Sequence, residues 1–389
     1  MTVRGTIDLV SAAGRKWDAL VIGAGPAGTV AARELARHGV RVLLVDRAEF
    51  PRRKVCGGCL NPHALSILET VGLREVAERC GIPLRRMVLS TEGARAELEL
   101  PEGRAICRAT FDAVLVEVAI AAGVDFLPGV IAELQPATDD LRPVRLRTST
   151  ESHSVAAPVV LAASGLGGTL FTHAPEFTHH VSPASRVGAG TCLPAADGPY
   201  PEGTIHMAVA PGGYVGITRT LAGELTVAAA FDVPVLRRAG SPALAAEQCL
   251  ERAGLPPIAG LSAATWRGTP PLTCHTTPLA AGRVLLLGDA AGYVEPFSGE
   301  GMAWAIAAAT AVTPAALEML AGREQQAARV WEGVHQRVVK RRQRICRLIR
   351  ELAAHPALSR LTIRTLHHLP FLATPLVKRV NAPAYGLLH

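Results

Sequence analysis

Gly23-Ala24-Gly25-Pro26-Ala27-Gly28 sets three glycines at G-x-G-x-x-G spacing, and Asp46 follows 18 residues after the last of them. The chemistry this pattern suits is the binding of a dinucleotide. The first glycine permits a tight turn, the second lets the backbone approach a pyrophosphate, and the third lets a helix press against a strand. Free N–H groups at the start of that helix attract phosphate oxygens. The carboxylate accepts hydrogen bonds from a ribose diol and disfavours a 2′-phosphate at the same place.

Other groups could react. Cys56-Gly57-Gly58-Cys59 is a C-x-x-C, open to a redox disulfide, to half of a metal site, or to thiols that merely belong to a turn. No partner C-x-x-C or H-x-x-x-H follows at useful spacing, so metal is set aside and the turn is the preferred reading. His179-His180 and His367-His368 are neighbours whose side chains point apart on a helix or strand, which places them on the surface. Serine hydrolysis gains no support. Gly299-Glu300-Gly301 lacks the nucleophile of G-x-S-x-G, and Ser164 is followed by Gly-Leu-Gly without that motif's full pattern.

These residues need rigid elements to hold them. Ala19-Leu20-Val21-Ile22 reads as a buried strand running into the glycines, residues 29–38 as a helix closed by Gly39, and 41–45 as a second buried strand ending on Asp46. Arg108 opens a helix that runs to about residue 122. Late in the chain, an apolar strand at 284–287 ends in Gly288-Asp289-Ala290-Ala291-Gly292, and Pro296-Phe297-Ser298-Gly299-Glu300-Gly301-Met302 leads into a long helix. Residues 302–320 are apolar enough to imitate a membrane span, but they are Ala-dominated and interrupted by Pro314, so a buried core helix is expected. Alternation at 84–91, 94–100, 204–210, 214–219 and 224–231 predicts an antiparallel sheet with one face on the core and one facing a cavity.

Composition narrows the class. A chain of 389 residues that is 49% hydrophobic can build a large core, which excludes a disordered protein. Forty Lys and Arg against 33 Asp and Glu leave +7, much of it near the C-terminus, and only 4% of residues are aromatic, which argues against nucleic-acid binding. Eight scattered cysteines and a start without a signal-peptide pattern point to a reducing cytoplasm with free thiols.

Taken with Glu49-Phe50-Pro51-Arg52-Arg53-Lys54-Val55-Cys56-Gly57-Gly58 and Arg108-Ala109-Thr110-Phe111-Asp112, these blocks resemble the flavoprotein superfamily of p-hydroxybenzoate hydroxylase. The F-P-R-x-K-x-C-G-G form is most similar to its geranylgeranyl reductase branch, and the resemblance covers roughly residues 17 to 320. It implies an α/β fold: a Rossmann-like FAD-binding domain with an inserted antiparallel-sheet substrate domain and a C-terminal helical segment. It implies that Gly23, Gly25, Gly28 and Asp46 hold the ADP half of FAD, with Pro26, Ala27 and Arg47 beside them. Arg108 would reach the diphosphate or ribityl region and Asp289, after Gly288, the ribityl or pyrophosphate. Lys54, Cys56 and Gly57 join this set, and Gly299, Gly301 and Met302 would bring backbone N–H groups to the pyrimidine edge of the flavin. A helix N-terminus there would stabilise the negative charge of reduced flavin.

Two segments depart from the pattern. Hydroxylases of this superfamily carry Asp-Gly after a mid-chain strand, where residues 159–163 here are followed by Ser164-Gly165, so the contact to pyrophosphate and to transient NADPH loses its acid. Reductases of the geranylgeranyl type show G-Y-x-W-x-F-P, and this chain has Gly213-Tyr214-Val215-Gly216-Ile217-Thr218-Arg219, keeping the Tyr but not the Trp or the Phe-Pro.

The expected division is a polar leader at 1–16, a discontinuous FAD-binding domain over 17–75, 105–170 and 275–322, a substrate domain over 76–104 and 171–274, and a basic helical segment over 323–389. Loops rich in Pro and Gly fall at 194–203 and 254–260. In the tail, Val330, Val334, Val338, Ile345, Leu348 and Leu352 recur at helical spacing among Arg337, Lys340, Arg341, Arg342, Arg344, Arg347 and Arg350. This is a packed helix with a solvated basic face or, on a sharper reading, a peripheral contact with anionic lipid.

The function expected is that of an FAD-dependent oxidoreductase acting on an apolar, lipid-like small molecule, by reduction or dehydrogenation of a C–C bond. Tyr214 and then Glu300 are the candidates for a polar group facing the substrate. Alternatives are an NAD(P)H-dependent monooxygenase of an aromatic or polyketide-like substrate and a non-catalytic flavin-binding protein. A flavin halogenase is disfavoured by the lack of a W-x-W-x-I-P segment. No second G-x-G-x-x-G follows a strand, so NADPH or NADH would dock transiently as reductant, or a protein donor would replace it.

Overall fold

The computed structural model describes residues 2–194, 198–295, 297 and 299–382. Of the features above, Pro296, Ser298, part of the 194–203 loop, residues 383–389 and the side chain of Leu352 lie outside the described residues.

Ala19–Ile22 and Val42–Val45 are buried at every position, as expected of parallel strands covered on both faces. They belong to a six-stranded sheet in the order 280–281, 284–286, 159–162, 19–22, 42–45, 125–127, parallel apart from the short first strand. Ala19–Ile22 has Val42–Val45 on one side and Val159–Ala162 on the other, so the chain leaves the two central strands in opposite directions and opens a crevice at their carboxyl ends. The helix after the first glycines starts earlier than expected, Pro26–Arg37 with Gly25 as N-cap, because proline is suited to the first helical turn. Gly39 takes φ 78°, as its capping role requires.

The apolar run near the end forms two core helices, Gly301–Ala311 and Thr313–Leu320, with Pro314 in the first turn of the second. Gly301–Leu320 is long and apolar enough to cross a membrane, and most of it is buried inside the fold.

The alternating segments assemble an eight-stranded sheet with Gly81–Thr91, Ala94–Ile106, Thr204–Ala210, Gly213–Arg219 and Glu224–Phe231 among its strands. It is mixed where an antiparallel one was expected, since Thr204–Ala210 runs parallel to Gly81–Thr91. More than a hundred residues separate those strands, ample for the crossover that parallel pairing needs. Alternation sorts its two faces. Ala208, Val215 and Val227 pack on Ala246, Cys249 and Leu250 of the Pro242–Arg252 helix, whereas Met207, Tyr214 and Ala230 face the other way.

The two ends of the chain do not stand apart. The leader, read as polar, buries Val3, Leu9 and Ala12, and Val3 bridges to Phe50. In the tail, Trp331 of the Glu324–His335 helix is fully buried and donates its indole N–H to the carbonyl of Leu286 at 3.1 Å. The histidine pairs divide. His180 is exposed and stacks on His275 with ring centroids 4.8 Å apart, but His179 is half-buried because its Nδ1 meets the Thr276 hydroxyl at 3.0 Å.

Candidate active site

At the crevice between the central strands, local sterics explain the glycines. Gly23 has φ 104°, and a Cβ on it would lie 2.3 Å from the Ala163 carbonyl oxygen. One on Gly28 would lie 1.9 Å from the Gly23 oxygen, so neither position accepts a side chain. The Pro26–Arg37 helix has no side-chain cap at its N-terminus, leaving its first N–H groups open toward the cavity. Asp46 accepts from the Ala24 N–H at 2.8 Å through Oδ2 and from the Ala48 N–H at 2.9 Å through Oδ1. A carboxylate offers about four acceptor positions, so lone pairs are left over at the cavity wall.

One cavity of about 1280 Å³ runs from these glycines to the eight-stranded sheet. Gly23, Gly25, Pro26, Ala27, Asp46, Arg47, Lys54, Cys56, Gly57 and Arg108 all line it, as do Gly288, Asp289, Gly299, Gly301, Met302 and Tyr214. Gly28 sits behind the wall in the helix–strand contact, and Glu300 is buried outside it, so Glu300 is not placed to meet a substrate. Lys54 Nζ stands 3.7 Å from Asp289 Oδ2, joining residues separated by most of the chain. Desolvation pushes the Lys54 ammonium below its ordinary range against the pull of Asp289, with Arg108 and Arg52 adding to the effect. Arg108 is clamped by Asp112 through two 2.8 Å hydrogen bonds. Burial weakens its hold on the proton, and the Asp112 carboxylate more than restores it.

Arg52 escaped the sequence reading. Its guanidinium lies over the Phe50 ring, 4.8 Å from the centroid, and reaches Asp112 at 3.3 Å and Asp46 at 3.6 Å. It links the ribose acid to the Arg108 pair, and its position inside F-P-R-x-K was the available signal. Glu295 was also missed. It is fully buried and accepts from Arg186 Nη1 at 2.9 Å, while Arg186 Nε reaches Asp232 at 3.0 Å. Burial raises the Glu295 carboxyl and Arg186 opposes that rise. Tyr214 stands beside Glu295, and burial followed by the Glu295 charge keeps its phenol protonated well above the ordinary range.

Cys56 and Cys59 are tied separately into the turn. Cys56 Sγ accepts from the Gly58 N–H at 3.4 Å, and Cys59 Sγ donates to the Gly57 carbonyl at 3.3 Å. Burial, with Cys56 adding, pushes the Cys59 thiol up to about 12, so it is a poor nucleophile at neutral pH. Thr218 anchors the turn to the sheet by donating to the same Gly57 carbonyl at 2.9 Å.

The residues present fit a dinucleotide: a side-chain-free cradle at a helix N-terminus, an acid with spare acceptors, and a cationic wall of Arg47, Arg52 and Lys54. The volume exceeds the roughly 300–1000 Å³ of ordinary small-molecule sites, leaving room for a second molecule. The N-terminus of the Gly301–Ala311 helix, uncapped by any side chain, faces the far end.

Comparison with known proteins agrees with this geometry. Residues 16–189 match the family model of an FAD binding domain. Over 84 residues the chain is 42% identical to a menaquinone reductase of Mycolicibacterium smegmatis, covering 22% of this chain and 20% of that protein. Over 156 residues it is 35% identical to digeranylgeranylglycerophospholipid reductase 1 of Methanopyrus kandleri, covering 39% of this chain and 40% of the relative. The matched stretches therefore span well under half of those proteins. Among solved structures, the flavin-dependent brominase Bmp2 superposes with a TM-score of 0.78 over 94% of each chain at 16% identity, a likeness of fold alone. The cradle and the acid both lie inside residues 16–189, and with that match they identify this part of the chain as an FAD-binding domain.

Proposed function

We propose that the chain adds a hydrogen pair across a C–C double bond of a long apolar molecule, with electrons drawn from NADPH, NADH or a protein donor and passed through FAD, or removes such a pair and passes the electrons through FAD to an acceptor. The observation that carries this reading is a second, apolar chamber of about 530 Å³ that shares Cys59, Met87, Ile205 and Phe297 with the flavin-side cavity. An acyl or polyprenyl tail fits such an annex, whereas a small polar aromatic gains nothing from it. The two curated relatives carry the names of reductases of a quinone and of a phospholipid.

Bound FAD supplies the two-electron carrier. The chain supplies placement and a proton. Arg186 and Asp232 hold Glu295, and Glu295 holds the phenol of Tyr214 at the cavity wall. For reduction, Tyr214 Oη would hold the proton for the carbon beside the one that bound FAD would reduce, and the Glu295 carboxyl, raised by burial, would return a proton to the phenol. Leu272 and Phe297 at the wall help to keep water from the reacting carbons.

Anaerobic stopped-flow on the holoenzyme tests this. Reduced enzyme mixed with a polyprenyl lipid should reoxidise and yield a product richer by two hydrogens per double bond. Tyr214→Phe should leave reduction by the donor unchanged and slow reoxidation by the lipid about a hundredfold or more. Reoxidation by oxygen alone, giving a hydroxylated aromatic and no saturated lipid, would overturn the proposal.

A further inference from the structure

The apolar chamber has its mouth at the C-terminal helices. In the Pro356–His368 helix, Ser359 and Ile363 turn toward the sheet and are buried, while Leu358 and Leu361 turn outward, 44% and 63% exposed. Leu369, Phe371, Leu372 and Leu376 continue the outward face at 42%, 64%, 49% and 42%. Exposed large apolar side chains gathered this densely mark an interaction surface. Leu361, Leu372 and Leu376 both reach solvent and line the chamber, so the plateau rings its opening.

Charge identifies the partner. After Glu351 the sequence contains no Asp or Glu, while Arg360, Arg364, Lys378 and Arg379 all fall within the plateau's helices. Arg360 is spent on Glu92, but Arg364, Lys378 and Arg379 are exposed. An apolar face rimmed by uncompensated cations is the physical complement of an anionic bilayer: acyl chains receive the leucines and the phenylalanine, and headgroups receive the cations.

We infer that the 356–379 plateau docks on an anionic membrane and opens the chamber to lipid, so that an apolar tail passes from the bilayer into the flavin-side cavity without crossing water. This deepens the proposed reading and rests on it for the nature of the cargo. It also moves the membrane contact from the basic stretch expected at 337–350. There, Arg342 is turned inward to donate to the carbonyls of Val380 and Ala382 at 3.2 and 3.0 Å, and Lys340 and Arg347 lie near His275.

Flotation of the FAD-loaded protein with phosphatidylethanolamine vesicles, with and without phosphatidylglycerol, tests the docking independently of turnover. Wild type should float with the anionic vesicles. Phe371→Ser with Leu372→Ser should lower partitioning at least about tenfold at unchanged FAD content, since each buried apolar side chain contributes on that scale. Lys340→Gln with Arg341→Gln and Arg344→Gln should change it less than about twofold, because those cations lie outside the plateau. A wild type that stays at the bottom, an apolar variant that floats as well as wild type, or a loss confined to the basic variant would overturn the inference. So would a wild-type dimer that Phe371→Ser with Leu372→Ser splits, since the plateau would then be covered by a second copy. Protein that floats normally yet leaves every lipid unchanged would sink the proposed reaction and leave the docking standing.

Discussion

Asp289 and Cys59 both touch the cavity, yet their environments assign them different weights. Asp289 holds a charge 3.7 Å from Lys54, where cofactor oxygens are expected. Losing a charge-assisted hydrogen bond costs about 1.5–3 kcal/mol, so Asp289→Ala should raise the dissociation constant for FAD about tenfold to a hundredfold in flavin-fluorescence titrations. Cys59 is a protonated thiol spent on a backbone carbonyl, and Cys59→Ser should keep both FAD and turnover. A serine variant that binds FAD normally but no longer turns over would revive the redox disulfide.

Among the elements, the Glu324–His335 helix shows how the tail belongs to the core. Trp331 is fully buried, packs edge-on to His335 with centroids 5.5 Å apart, and bonds to Leu286 of the central sheet. Truncating a buried aromatic costs about 3–5 kcal/mol. Trp331→Ala should therefore lower the urea midpoint of the whole protein; an unchanged midpoint would mean that the helix docks loosely.

For the molecule as a whole, pH dependence follows from histidines buried as neutral rings. Desolvation lowers His63 to about 3, and His206 and His335 to about 4. The folded values lie below the unfolded value near 6.5, so folding favours the deprotonated form. The associated stability is present above about pH 6.5 and is lost as pH falls toward 4. Between pH 7 and pH 5 one such histidine accounts for about 2 kcal/mol. Neither ring nitrogen of His335 has a partner, so His335→Leu removes a buried polar ring without breaking a bond. The variant should lose less stability than wild type over that interval in thermal melts at successive pH values, and an equal loss would place the acid sensitivity elsewhere.

The dinucleotide cradle was legible in the sequence because its parts are contiguous. A turn that must lack side chains, a strand buried on both faces and an acid at strand end are all settled within one strand–helix–strand unit, and 16 of the 18 site residues expected from the sequence come together at one cavity. Glu295 and Arg186 were not legible, since each acquires its role from partners dozens of residues away and a lone charged residue carries no periodic signal, whereas Arg52 lay inside F-P-R-x-K and only its link to Asp112 needed the fold. The same holds for the parallel pairing inside the eight-stranded sheet, because alternation reports which face a residue occupies and not which strand lies beside it. The tail's repeating valines and leucines announced a helix. Only the packing of that helix and its successors against the sheet decided which apolar residues became core, which enclose the second chamber and which stay on the surface.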